Sequence, residues 1–287
     1  MSTAKGRSNK AKRQAAQRRA TQWRKQHASA AATPALLPSH RRKLRRAETH
    51  IQTVEDLVNG WMNADSYRIA METDRRGGIE LVGTQLLPLP DDLGVVIGDA
   101  LQAMRSSLDN LAYALAVRKN PNMTSKEEEG VSFPIFDQPA QAGHRSVDQM
   151  GSVIAGDVIG LCPNSAVGPL NEHPLWLLNK ANNRDKHRAV TVAVASIATY
   201  NLYITNAIMS GGGFIGPGGP QRTKQPGDKV VFAKGGPGSK LDANMTASLQ
   251  VVFDEGIEVA DREVIATLRW FHDHIRDTVF PTLEPHL

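Results

Sequence analysis

A chain of 287 residues with 40% hydrophobic and 22% charged side chains is long enough to bury a sizeable core, and a mean hydropathy of −0.34 is too polar for repeated membrane spans. Its one cysteine, Cys162, excludes an internal disulfide framework or a cysteine-built zinc cluster and suits a reducing, cytoplasmic setting. The net charge of +5 conceals a segregation. Of 34 Lys and Arg, 14 fall in residues 1–46, which hold no Asp or Glu, so the remaining 241 residues carry 20 basic against 29 acidic side chains.

Residues 1–38 interleave Lys and Arg with Ala, Gln and Ser, and Trp23 is their one aromatic. So little apolar side chain cannot offset the entropy of ordering, and the sequence predicts a disordered basic arm. A flexible polycation releases counterions when it meets a nucleic-acid backbone. Lys10, Lys12, Arg13, Arg18, Arg19, Arg24 and Lys25, joined past an Ala/Pro-rich spacer by Arg41, Arg42 and Lys43, are therefore the candidate contacts to RNA or DNA. The arm lacks the repeated aromatics of a stacking platform, so base readout by it is not expected. An organelle transit peptide is an alternative reading; a secretory signal is not expected, because no apolar core segment is present.

The body, residues 39–287, is predicted to be a single α+β unit. A helical bundle over about 39–188 packs with a mainly antiparallel β-sheet over about 189–258, and a helix over about 261–279 closes the chain. Leu44, Ala47, Ile51, Val54, Val58 and Trp61 recur at helical spacing and predict a helix from Pro38 to Asn63. Alternating residues 66–72 and 79–86 flank Asp74-Arg75-Arg76-Gly77-Gly78, a hairpin signal. A long helix follows over 92–119, ended by Pro121. Residues 125–129 read as an acidic loop, 147–161 as a helix, and Pro174 as the first turn of a helix reaching Ala189. No formal charge occurs over 189–221, but Thr191, Ser196, Thr199, Asn201, Thr205 and Asn206 make 190–209 a poor membrane span and a better buried strand. Strands are predicted over 201–209, 229–234 and 246–254, and Asp261 as the N-cap of the last helix.

Few motifs carry chemistry. Gly211-Gly212-Gly213-Phe214-Ile215-Gly216 matches a dinucleotide-binding pattern in form, yet Pro217-Gly218-Gly219-Pro220 follows where a helix should start. His272 and His274 fall on different helix faces and cannot chelate one ion. No metal and no cofactor are expected. Two polar rows at i, i+4, i+8 stand out: Arg105, Asp109 and Tyr113, and Asn179, Asn183 and His187. An Asp four residues after an Arg can hold its guanidinium, and a histidine near both becomes a tuned acid or base. The simpler role for such rows is to lock adjacent helices together through satisfied polar groups.

Arg105-Ser106-Ser107-Leu108-Asp109-Asn110-Leu111-Ala112-Tyr113-Ala114-Leu115, then Phe133-Pro134-Ile135-Phe136, then Leu178-Asn179 through Asp185-Lys186-His187-Arg188 resemble a group of uncharacterised, mainly actinobacterial proteins. The likeness covers about 41–280 and implies no particular activity. Gln102 and Ala103 stand where that group often has His-Asn, and Asn110 where it often has His. Its Arg-x4-His element is similar to that of HEPN ribonucleases, helical bundles that cleave RNA without metal; in this chain the element reads Arg105-x4-Asn110. Arg45-x4-His50 and Arg269-x4-His274 also fit, at a density that chance alone supplies. The expectation is an intracellular protein that binds nucleic acid, RNA foremost, through its basic arm, with no membrane partner. One alternative is a metal-independent HEPN-like endoribonuclease, with His187 as acid or base, Arg105 as phosphate clamp and Asp109 beside them. The other is a structural protein with no catalytic site.

Overall fold

The computed structural model describes residues 37–136, 144–163, 169–185, 192–208 and 222–287. Residues 39–287 form one compact unit. Of the predicted basic arm, all but Leu37 and Pro38 lies outside the described residues.

Helix α1 (Ser39–Met62) buries the residues that its sequence spaced for the purpose, from Leu44 through Trp61. Strands β1 (Tyr67–Thr73) and β2 (Ile79–Gln85) pair antiparallel. Their turn is held by the Asp74 carboxylate, which accepts from the Arg76 and Gly78 amides at 2.8 and 2.7 Å, with Gly77 at φ 79°. Helix α2 (Leu93–Lys119) runs back antiparallel to α1, so that Asn110 Nδ2 donates to Ser39 Oγ at 3.1 Å. Leu93, Ile97, Leu101, Met104, Leu108, Leu111 and Leu115 of α2 form the centre of the core. Around it sit α3 (Ser125–Glu129), α4 (Arg145–Met150), α5 (Ala155–Gly160), α6 (Pro174–Asp185), α7 (Val264–His274) and α8 (Phe280–Leu283), α7 passing through a π-turn into α8. Each of the longer helices contributes aliphatic or phenyl side chains, such as Leu178 and Phe271, to the same core.

The protein is α+β, and its strands are all antiparallel neighbours, as predicted. Among the described residues they form two sheets, where one mainly antiparallel sheet was expected. The long strand β3 (Val192–Ile208) pairs along β6 (Lys240–Phe253), with the two residues of β4 (Arg222–Thr223) on its other edge. Strand β5 (Lys229–Gly235) leaves that neighbourhood and joins β2, tying the late part of the chain to the first hairpin. The segment considered as a membrane span is thus β3, and among the described residues no helix is long and apolar enough to cross a membrane.

Three further expectations are corrected. The acidic stretch 125–129 is helical, because Thr124 and Glu127 close a capping box: the Glu127 amide donates to Thr124 Oγ1 at 3.4 Å and the Thr124 amide to Glu127 Oε2 at 2.7 Å. The helix expected over 147–161 breaks at Gly151, whose φ of 124° no helix accommodates. Asp261 is not a helix cap; it lies in a turn at φ 67°, pinned to the end of β6 by the Phe253 carbonyl, which accepts from the Asp261 amide at 3.1 Å. The helix starts three residues later, and Glu263 caps it by accepting from the amides of Ile265 and Ala266.

One close approach fixes α6 on α2. Gly98 faces Asp185, and a Cβ on Gly98 would stand 2.6 Å from the carbon of that carboxylate. Gly98→Ala is therefore expected to destabilise the protein by about 1–3 kcal/mol, as overpacking of a tight helix contact does, and the urea midpoint measures it.

Candidate nucleic-acid interface

Because α1 and α2 share one apolar seam, the residues flanking that seam meet along a surface groove of about 560 Å³. One wall is cationic. Arg42, Arg46 and His50 follow one another a turn apart along α1, with Lys43 beside Arg42, and all three cations are exposed. The other wall is polar, built from Asp99, Gln102 and Ser106 of α2, with Ala103 between the walls. The antiparallel arrangement brings Asp99 towards His50 at one end and Asn110 to Ser39 at the other.

The side chains of the groove are partly ordered among themselves. Arg46 Nε donates to His50 Nε2 at 2.9 Å, which requires that nitrogen to be unprotonated. Gln102 Nε2 donates to Ser106 Oγ at 3.3 Å. Burial lowers the pKa of His50 below its ordinary value; the Asp99 carboxylate opposes that shift and the Arg46 guanidinium adds to it. Among the described residues, no carboxylate forms an ion pair with Arg42, Lys43 or Arg46. Their neighbour Arg41 differs: it grips Glu284 near the end of the chain, Nε to Oε1 at 2.6 Å, while His40 reaches the same oxygen at 2.8 Å. Arg41 raises its own pKa through that bond, and the carboxyl of Glu284 is held down by Arg41 and His40 against the opposing effect of burial.

Of the candidate nucleic-acid contacts, Arg42 and Lys43 thus line the groove, Arg41 is spent on an internal pair, and Lys10, Lys12, Arg13, Arg18, Arg19, Arg24 and Lys25 lie outside the described residues. The chemistry expected of Arg105 and Asp109 takes a structural form. Arg105 Nη2 contacts Asp109 Oδ1 at 2.9 Å and donates to the Phe133 carbonyl at 2.9 Å, while the Phe133 amide donates to Asp109 Oδ1 at 2.9 Å. The pair thereby satisfies both peptide groups of Phe133 and seats its ring in the core. Burial lowers the pKa of Arg105, with Asp109 opposing. Tyr113, third in that row, donates its hydroxyl to Glu128 at 3.3 Å. His187 and the glycine run 211–216 lie outside the described residues.

The second polar row is shifted by one position. Asn182 is fully buried, with neither amide atom hydrogen-bonded, whereas Asn183 is exposed. His173 and His274 meet edge to face at 5.5 Å, and burial, aided by His274, lowers the pKa of His173 to about 4. Among the described residues no three His, Cys, Asp or Glu side chains gather to hold a metal ion.

The sequence reading missed Arg46, His50, Asp99, Gln102 and Ser106 as members of one site. Spacing within each helix was available; the pairing of the two helices, which a sequence does not display, brings them together. No family model matches the chain, and searches of curated proteins and of solved structures found no match.

The Phe133 clamp predicts an unequal pair of substitutions. Asp109→Ala leaves a buried guanidinium without its counter-charge and the Phe133 amide without its acceptor, and is expected to cost about 2–4 kcal/mol; Asp109→Asn keeps an acceptor and is expected to cost less than half as much, both read from denaturant unfolding.

Proposed function

We propose that the protein binds nucleic acid, RNA foremost, through the cations of its N-terminal arm and, separately, those of the α1–α2 groove. One observation carries this reading: Arg42, Lys43 and Arg46 stand together on a groove wall with no described carboxylate paired to them, on a body whose composition is acidic. Cations left unpaired on an anionic body repel one another, and their proximity is stabilised when a polyanion supplies the missing charge. The arm adds nine further Lys and Arg before residue 39, covalently continuous with α1. Binding of this kind is dominated by counterion release, so log K falls linearly with log salt. Deleting residues 1–36 is expected to flatten that slope substantially while leaving measurable binding by the groove. Arg42→Ala with Arg46→Ala in the full chain is expected to reduce it by about 1.4 for a single strand, near 0.7 per phosphate contact. Fluorescence anisotropy over a salt series measures both; slopes that match the unmodified chain contradict the reading.

A second reading is metal-independent cleavage of RNA, favoured by the hydrogen bond between Arg46 and a histidine held neutral. In this reading His50 Nε2 exchanges the Arg46 bond for a 2′-hydroxyl and takes its proton as the 2′-oxygen attacks the adjacent phosphorus. The P–O5′ bond breaks, the leaving oxygen gains a proton from water, and Arg46 and Arg42 neutralise the phosphate as charge builds. Because the pKa of His50 lies below the ordinary 6.5, the base form persists as pH falls through that value. Cleavage in EDTA is then expected to stay flat from pH 8 to below pH 6.5, to fall only at lower pH, and to vanish in His50→Ala; RNA left intact by the unmodified protein excludes this reading.

A further inference from the structure

From the two unlike walls of the groove we infer that its ligand is a single strand whose base edges are read by α2, with Asp99 selecting guanine, which presents an imino and an amino hydrogen side by side. The inference rests on the proposed nucleic-acid binding and adds to it a strand type and a residue that discriminates between bases.

A surface that only holds phosphate needs donors and positive charge. The α1 wall fits that need, whereas the α2 wall does not: it offers the Asp99 carboxylate, the Gln102 amide and the Ser106 hydroxyl. Asp99 is exposed and forms no described ion pair, so it is not spent on closing the structure as Glu284 is on Arg41. A carboxylate facing a phosphate site lowers affinity for phosphate by simple repulsion. The same carboxylate is an acceptor with no donor of its own; every base offers it at least one N–H, but guanine sets a ring N–H and an exocyclic amino group on one edge, so that both carboxylate oxygens are met at once. Gln102 and Ser106 each both donate and accept, which suits base edges, and neither brings positive charge to a phosphate.

Geometry separates a single strand from a duplex. From Ser39 to His50 the groove follows eleven residues of helix, about 16 Å. Its two walls belong to helices that share a core seam, for which axes lie about 8–10 Å apart. A duplex about twice that width rests across such a groove on its backbone, with its Watson–Crick edges already paired. A single strand lies along it with its backbone against Arg42, Lys43 and Arg46 and its unstacked bases against Asp99, Gln102 and Ser106.

The test uses the full chain and labelled oligonucleotides: four homopolymeric RNA single strands, the DNA equivalents, and an RNA hairpin stem of equal charge, at fixed salt. The account expects single strands to bind about tenfold or more tightly than the stem, and guanine-containing strands to lead. Asp99→Asn and Asp99→Ala are expected to remove the base preference while leaving the salt slope unchanged; a merely repulsive carboxylate, once removed, strengthens binding of all sequences alike and steepens the slope. Circular dichroism melting of each variant controls for folding, and Gln102→Ala is a second variant on the same wall, expected to alter base ranking. Equal affinity for stem and single strand, or a uniform rise for every sequence in the Asp99 variants, overturns this inference but leaves nucleic-acid binding standing. No binding to any of the probes overturns both.

Discussion

The apolar seam between α1 and α2 governs the rest of the structure. Leu44, Ala47, Ile51, Val54 and Val58 are buried against the long row of α2, and burying one large aliphatic side chain contributes about 1.5–3 kcal/mol, whereas an exposed ion pair contributes about 0–1 kcal/mol. Burial therefore sets the rotation of each helix and charge does not. Once the seam is formed, the 3.6-residue period dictates which side chains flank it: Arg42, Lys43, Arg46 and His50 on one helix, Asp99, Gln102 and Ser106 on the other. The groove is a by-product of packing whose lining is free to serve function, because none of these side chains is needed to close the core.

Arg41 and Arg42, adjacent in sequence, show how the fold divides its cations. The helical turn sends Arg41 towards the C-terminal segment, where Glu284 and the ring of Phe280 receive it, and sends Arg42 the other way into the groove. The acidic body has carboxylates to spare for a second such clamp, yet those described near α1 go elsewhere: Glu55, for example, holds Arg269. A cluster of positive charge is thereby kept on the surface of a body that is otherwise net negative, an arrangement that attracts polyanions in a salt-dependent way.

Local patterns in the sequence were good guides where one face of one element decides the outcome. The helical spacing of α1 and α2, the Asp74–Gly78 turn and the antiparallel strands all follow from period and turn chemistry. Thr124-x-x-Glu127 has the form of a capping box, a stronger local signal than the acidity that makes 125–129 read as a loop. Asp261 misled because a good capping residue lies three positions before the helix it appears to open; pairing with the end of β6, a contact between distant parts of the chain, moves the start to Glu263. The same limit applies to the site. Arg105 and Asp109 form a pair at i, i+4, as their spacing promised, but the nature of their third partner, the Phe133 peptide, depends on a loop returning to α2. Arg46, His50 and Asp99 belong together solely because two helices run antiparallel in one register. Asn182 in place of Asn183 is a shift of a single position, about 100° of helix, and it reverses which amide is buried.

Photocrosslinking of the intact chain to 4-thiouridine-substituted RNA, followed by mass spectrometry of the modified peptides, tests most directly that the α1–α2 groove is the interface. The account predicts nucleotide adducts on peptides spanning Arg42–His50 and Asp99–Ser106, lost when unlabelled single-stranded RNA competes. Adducts confined to other faces of the body, with these two peptides unmodified, contradict it.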